Sequence, residues 1–363
     1  MKKIPLFQPY ITRKEFKAIA KVLESKQLSR GPCVESFERE FAKFVGRRFA
    51  IAVSSDTSGL DICMKALGIK KNDKVITSAY SFIASANCIL YQGAIPVFCD
   101  VNSHNGLIDT NRLKQLISEK VKAILPVDIF GQQCDLSALQ QIGLPIIVDS
   151  CESFGVPPQA GALANVYGFY PNKQITTGEG GMIVTDDEEF ADKLRSLRNQ
   201  GFKKTKNYLA EIDIGFNFRM SDINAAIGLA QLRSANKILQ KRWKLACAYF
   251  KLLDKVPEIE FVLNMKNKNI SIFNMPVICK NQHIRDCIIQ ELEKNQIEYS
   301  FGFPPLMHFA YIKNATQYKN TDFPNTEIFA KTLLCLPMFT DMSTRQIQFI
   351  VKCIKQGISN ARN

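Results

Sequence analysis

The sequence predicts an α/β protein: a large domain with a mainly parallel mixed sheet between helices, followed by a smaller C-terminal α/β domain. Three observations carry that reading. The chain has 363 residues, more than one ordinary domain needs, so one large and one smaller unit is the natural division. With 46% hydrophobic and 22% charged residues, and neither repeats nor low-complexity tracts, it has the composition of an ordinary globular protein. From residue 35 to about 187, short apolar runs alternate with helical patterns, and apolar strands separated by helices build parallel sheets covered on both faces.

The elements follow in order. Phe37, Phe41, Phe44 and Val45 recur at helical spacing, IAVSS (51–55) is a short strand, and Leu60, Met64 and Leu67 mark the next helix face. KVIT (74–77) is a strand, SFIASANCIL (81–90) a helix, IPVFCDV (95–101) a strand, and a helix is expected over about 111–119. VKAILPV (121–127), a short helix near Leu136, PIIVDS (145–150) and an aromatic strand over 166–170 complete the series before the glycine-rich turn of Gly178, Gly180 and Gly181. The large domain is set at 1–235 and the small one at 236–363, with a long helix through 243–253 leading across. In the small domain SIFNMPVIC (271–279) reads as a strand, 284–292 as a helix and 344–354 as the closing helix.

Composition removes several function classes. The start MKKIPLFQPY is broken by Pro5, Gln8 and Pro9, and no apolar run reaches membrane-spanning length, so a cytoplasmic protein without membrane attachment is expected. Eleven cysteines are scattered singly, and Cys99, Cys151 and Cys335 lie in apolar surroundings, which predicts reduced, structural thiols. With no C-x-x-C pair and only His104, His283 and His308, no metal site is expected. The net charge of +13 calls for anionic partners. Its carriers, among them Lys70, Lys71, Lys203, Lys204, Lys206, Lys241, Arg242, Lys266 and Lys268, are spread out as a solvated surface, and no nucleic-acid-binding pattern gathers them.

Ligands of parallel sheets sit at the carboxyl ends of the strands, and three such ends carry chemistry. After IAVSS, Asp56, Thr57, Ser58 and Gly59 open a helix whose free N–H groups and hydroxyls suit a phosphate, although Ser55, Asp56 or Thr57 would equally serve as an ordinary N-cap. After KVIT, Phe82 could cover a flat ring or act as a hydrophobic staple. Asp149 ends an apolar strand, where a carboxylate either caps a turn or meets a buried cation such as a pyridinium nitrogen. Lys173, in YPNKQITTGEGG, lies between an apolar strand and a flexible turn. There an amine is either a solvated surface group or a partly desolvated one suited to Schiff-base chemistry.

The order of these signals resembles the DegT/DnrJ/EryC1/StrS family of sugar aminotransferases, a branch of the fold-type I pyridoxal phosphate (PLP) enzymes. The resemblance runs through LSRGPCVESFEREFAKFVG, SSDTSGLDICMKALGI, SFIASANCILYQGAIPVFCDV, VDSCESFG, YPNKQITTGEGGMIVTDD, DIGFNFRMSDINAAIGLAQL and LPMFTDMS. It implies pyridoxal 5'-phosphate as cofactor, held as a Schiff base by Lys173, with Asp149 paired to the ring nitrogen, Phe82 on a ring face, Glu152 near the ring hydroxyl, and Thr57 and Ser58 on the phosphate. It further implies that Asn217 reaches the phosphate in the neighbouring subunit of a homodimer with shared active sites, and that Arg219 and His308 are substrate-side candidates; an arginine at 219 could equally hold its loop in place.

The function implied is transfer of an amino group from an amino acid, L-glutamate by family habit, to a keto group of a nucleotide-linked deoxysugar, in amino-sugar and polysaccharide biosynthesis. The ITTGEGG form resembles members that aminate C4 more than C3. Family members that dehydrate carry another residue in place of the lysine. A PLP dehydratase, an aminotransferase for a non-nucleotide sugar or cyclitol, and a non-catalytic member are the alternatives. Four positions depart from the family pattern: Asp56 for Gly, Gly168 for a phosphate-binding Ser, Asp128 for His, and Met307 for a substrate-side His, with His308 next to it.

Overall fold

Seven strands form the larger sheet: β1 (Phe49–Val53), β2 (Lys74–Ser78), β3 (Ile95–Cys99), β4 (Val121–Leu125), β5 (Ile147–Asp149), β6 (Ala164–Gly168) and β7 (Gly181–Thr185). The structure, a computed structural model, describes residues 3–204, 209–211, 213–267 and 269–362, so Lys206 and Lys268 lie outside the described residues. The hydrogen-bonded orders are β3-β2-β4 and β5-β6-β7-β1. Parallel bridges Ile124–Ile146 and Val127–Asp149 join β4 to β5. The sheet is mainly parallel, as expected, with β7 alone running against both of its neighbours. The reason is local: β6 and β7 are joined by the loop 169–180 with no crossover helix, and a short connection makes an antiparallel pair.

Helix Asp56–Ala66 lies directly on this sheet. A Cβ at Gly59 would stand 2.9 Å from Val166 Cγ1 and 3.3 Å from Ile183 Cγ1, so only glycine permits that approach. Ser55 fixes the start of the helix, its hydroxyl accepting from the Ser58 N–H at 3.1 Å while its own N–H donates to Ser58 Oγ at 3.0 Å. On the other face an aromatic group supports β6, with ring centroids 5.3 Å apart for Phe41–Tyr167 and 5.4 Å for Phe37–Phe169.

A hairpin, β8 (Phe202–Lys204) and β9 (Leu209–Glu211), follows, and then helix Ala235–Leu253. An antiparallel sheet of β10 (Ile259–Phe261), β11 (Met275–Cys279) and β12 (Leu333–Leu336) lies beyond it, and helices Gln282–Lys294 and Thr344–Arg362 pack against each other alongside. Two expectations change. The helix over 111–119 is a 3-10 helix, Thr110–Leu116, whose Asp109 side chain accepts from Asn111 N at 3.1 Å. The strand over 271–279 begins only at Met275, because Ser271 N donates to the Gly131 carbonyl and the Ile272 and Phe273 carbonyls accept from Arg242 instead. All eleven cysteines are free and most are buried. Among the described residues no helix is long and apolar enough to cross a membrane, and no group of three or more His, Cys, Asp or Glu could hold a metal ion.

Candidate active site

Asp149 is the last residue of β5, and its backbone is held on both sides: its N–H donates to the Pro126 carbonyl at 2.9 Å, and its carbonyl accepts from Asp128 N at 2.9 Å. The side chain is buried. Oδ2 accepts from Ser85 Oγ at 2.9 Å and Oδ1 from Cys151 N at 3.2 Å. Burial, with the neighbouring Asp56 charge, pushes this carboxyl above its ordinary range, while the bonds from Cys151 and Ser85 resist the shift. Among the described residues no cationic side chain lies within ion-pair distance of it.

Lys173 sits in the 169–180 loop, its N–H donating to the Tyr170 carbonyl at 2.9 Å. Its side chain is largely buried. Nζ lies 3.6 Å from Glu152 Oε1 and 4.4 Å from the centre of the Phe273 ring. Burial pulls the amine down, but the surrounding charges, Glu152 first and then Asp56 and Asp149, outweigh it and leave it above an ordinary lysine. Glu152 is pushed up by burial, against the pull of Lys173 and of the Phe130 N–H, which donates to its Oε2 at 2.7 Å. Phe130 adopts a left-handed backbone at φ 57°, strain that the surrounding core holds in place to present that N–H.

At the end of β1, Asp56 N and Thr57 N open the helix without backbone acceptors, and Thr57 is half-exposed beside them. The Ser58 hydroxyl is turned inward, donating to the Ser55 carbonyl at 2.8 Å. Two departures from the family pattern now meet in space: a Cβ at Gly168 would lie 3.2 Å from Asp56 Cγ. The room that a missing side chain leaves is taken by the Asp56 carboxylate, which also receives the Cys151 thiol at 3.4 Å. Phe82 presents an open face, 52% exposed, with the Phe303 ring centre 5.8 Å away.

The remaining candidates stand elsewhere in the chain. Asn217 is exposed between the inward, stacked rings of Phe216 and Phe218, 4.7 Å apart. Arg219 donates to Asn199 Oδ1 at 2.9 Å and lines a cavity of about 220 Å³ with Arg30, Glu35, Glu38 and Arg198, whose walls include neither Lys173 nor Asp149. His308 Nε2 is 2.6 Å from Glu327 Oε1, while Met307 is buried in an apolar cluster. Sequence reasoning missed Ser85, the Phe130 N–H and Phe273, which meet the site only through contacts distant along the chain.

A lysine amine, a buried carboxylate with no cation, an open aromatic face and a free helix N-terminus together fit a ring that carries an aldehyde, a basic nitrogen and a phosphate, so the fold and site define a pyridoxal phosphate enzyme. Solved structures agree. The putative sugar aminotransferase Spr1654 of Streptococcus pneumoniae, in PLP form, is 25% identical with a TM-score of 0.93 and 99% coverage of both chains. Helicobacter pylori PseC, an aminotransferase involved in the biosynthesis of pseudoaminic acid, is 28% identical with a TM-score of 0.92, covering 99% of this chain and 100% of that one. Vibrio cholerae GDP-perosamine synthase is 32% identical over 97% of this chain and 98% of its own length. The chain belongs to the DegT/DnrJ/EryC1/StrS aminotransferase family, whose sequence model matches residues 9–355.

Two expected results arise here. Gly168→Ser forces the new side chain against Asp56 and should lower the unfolding free energy of cofactor-free protein by about 1–3 kcal/mol, as overpacking does, with Asp56→Ala restoring it in the double variant; denaturant titration checks this. Asp128 is buried, its Oδ1 accepting from Cys134 N at 3.0 Å and its Oδ2 from Ser150 and Ser153 hydroxyls at 3.1 and 2.9 Å. Burial raises it from 3.8 to about 6, so the folded chain holds this proton more tightly than the unfolded one. The stability it contributes is complete below about pH 4 and lost as the pH rises through about 6, a change of about 3 kcal/mol. Asp128→Asn should flatten that part of the profile, measured by denaturation at the two ends of the range.

Proposed function

We propose that this protein, in the cytoplasm and as a homodimer, moves an amino group from L-glutamate to the C4 keto group of a nucleotide-linked deoxysugar. Residues 1–235 form the cofactor-binding domain and 236–363 the smaller one. The observation that carries the reading is the largely buried Lys173 side chain set against Asp149 and Glu152 at the carboxyl ends of the strands. When bound, pyridoxal phosphate stores the amino group between the half-reactions and delocalises the electron pair left when a proton leaves the donor carbon.

The chain's residues do the rest. Asp149 supplies the charge that keeps a ring nitrogen protonated, and its position at a strand end with two fixed bonds lets it do so without moving. Lys173 would hold the aldehyde of the cofactor through its amine and would move the proton of the donor carbon, with Glu152 keeping the amine directed. Phe82 covers a ring face, and Thr57 with the helix N–H groups holds the phosphate. Asn217, exposed on a strip whose aromatic residues face inward, extends to the second subunit's phosphate. The GDP-linked product in the name of the V. cholerae relative and the net charge of +13 both support an acceptor that bears a diphosphate.

The test is a panel of keto-sugars supplied with glutamate to PLP-loaded protein, read by mass spectrometry. Amino-sugar formation from nucleotide-linked 4-keto-deoxysugars is expected; dehydration, or transfer only to free sugars or cyclitols, would replace this reading. For the shared site, mixing inactive Lys173→Ala and Asn217→Ala dimers should restore activity in the hybrids, and no recovery would show that each chain builds its site alone.

A further inference from the structure

Arg242, which the sequence places among scattered surface charges, is in the core: it is 3% exposed and, among the described residues, has no carboxylate as ion-pair partner. Its Nε donates to the Ile272 carbonyl at 2.7 Å and its Nη2 to the Phe273 carbonyl. A guanidinium buried without a counter-charge is costly, so its two backbone bonds must hold something that matters. What they hold is the segment just before β11, from which the Phe273 ring reaches to 4.4 Å from Lys173 Nζ.

The same segment is tied from the other side. Ser271 N donates to the Gly131 carbonyl at 2.8 Å, and Gln174 Nε2 bridges Ser271 Oγ at 2.7 Å and the Glu152 carbonyl at 2.6 Å. Gln174 follows Lys173 in sequence, so the loop that carries the amine and the segment that carries the ring are joined by one side chain. Without Arg242, the Ile272 and Phe273 carbonyls between the Ser271 anchor and the β11 ladder at Met275 would lose the side chain that holds them.

We propose that Arg242 is a positioning residue that clamps Phe273 as a fixed cover on Lys173, shielding the amine from water. This rests on Lys173 being the reacting amine. The cover acts in two ways. The negative face of the ring steadies the amine while it is free and charged, and the ring keeps water from the face it covers.

The experiment compares wild type, Phe273→Leu, Arg242→Met, Arg242→Lys and the Phe273→Leu/Arg242→Met double variant. In cofactor-free protein the rate of reductive methylation at Lys173 is measured by peptide mass spectrometry, with Lys65, a partly buried lysine paired with Asp213, as internal reference. Each of the Leu and Met variants should expose Lys173 about tenfold faster, the scale of one lost cation–π contact with its shielding. Lys65 should stay unchanged, the double variant should go no further than the singles, and Arg242→Lys, able to reach one carbonyl, should fall between. Rates equal to wild type, a parallel rise at Lys65, or additive effects in the double variant overturn the clamp. If Arg242→Met does not fold, Arg242→Lys and Phe273→Leu decide alone. Borohydride reduction of PLP-loaded wild type is run alongside: a tag on another lysine overturns the Lys173 reading and the clamp together, whereas a tag on Lys173 with unaltered methylation rates overturns only the clamp.

Discussion

Lys173→Ala protein is expected to lose amino transfer by at least about 10³-fold, because one side chain both holds the cofactor's aldehyde carbon and moves the proton. The loss should lie in chemistry more than in binding. Asp149, Phe82 and the helix N-terminus are untouched by the change, so PLP should still bind, while borohydride no longer tags the 173 peptide. Arginine should not rescue: the site holds an amine within 3.6 Å of Glu152 Oε1 and under the Phe273 ring, and a guanidinium is not a nucleophile. Methylamine, small enough to enter the vacated space, should restore a fraction of the rate. Single-turnover absorbance changes with glutamate measure all of this, and a variant within tenfold of wild type would end the proposed role.

Asp149→Asn should have opposite effects on activity and stability. The amide is nearly the same shape and can keep the Ser85 hydrogen bond, but it cannot offer a negative charge to a buried ring nitrogen. Removing the charge from one partner of a buried pair is worth about 3–5 kcal/mol, so turnover should fall by about 10²–10⁴-fold. Cofactor-free protein should become more stable at neutral pH. Burial holds the Asp149 proton more tightly in the folded chain than in the unfolded one, so the native carboxylate contributes stability at low pH that is lost as the pH rises through its elevated folded value. The asparagine variant escapes that loss. Melting curves across pH, beside steady-state rates, separate the two effects. A variant that is slower and also less stable at neutral pH would mean that Asp149 serves chiefly to hold its turn.

What was legible in the sequence is what strand periodicity marks locally. Asp149 ends an apolar run, Lys173 stands between a strand and glycines, and the helix after β1 opens on Ser55 and Asp56; each carries its signal within a few residues. Ser85 and Phe273 carry none, because what makes them part of the site is a partner far along the chain. The run 271–279 shows why: its apolar pattern suits a strand throughout, yet Gly131, Gln174 and Arg242 claim the polar groups of its first residues, and only Met275–Cys279 enters the ladder. Arg242 was misread for the same reason, since a helix with several basic residues reads as solvated until its neighbours are known. Asp56 and Gly168 looked like two separate departures in sequence and are one contact in space.

The lone reversed strand also sets an order of assembly. Among the described residues β1 finds its ladder partner in β7 alone, so its edge stays unpaired on the ribosome until residue 185 has emerged. Any product truncated within the Lys173 loop would leave β6 and β1 as open edges in search of another chain, and such fragments should aggregate before they bind vitamin B6.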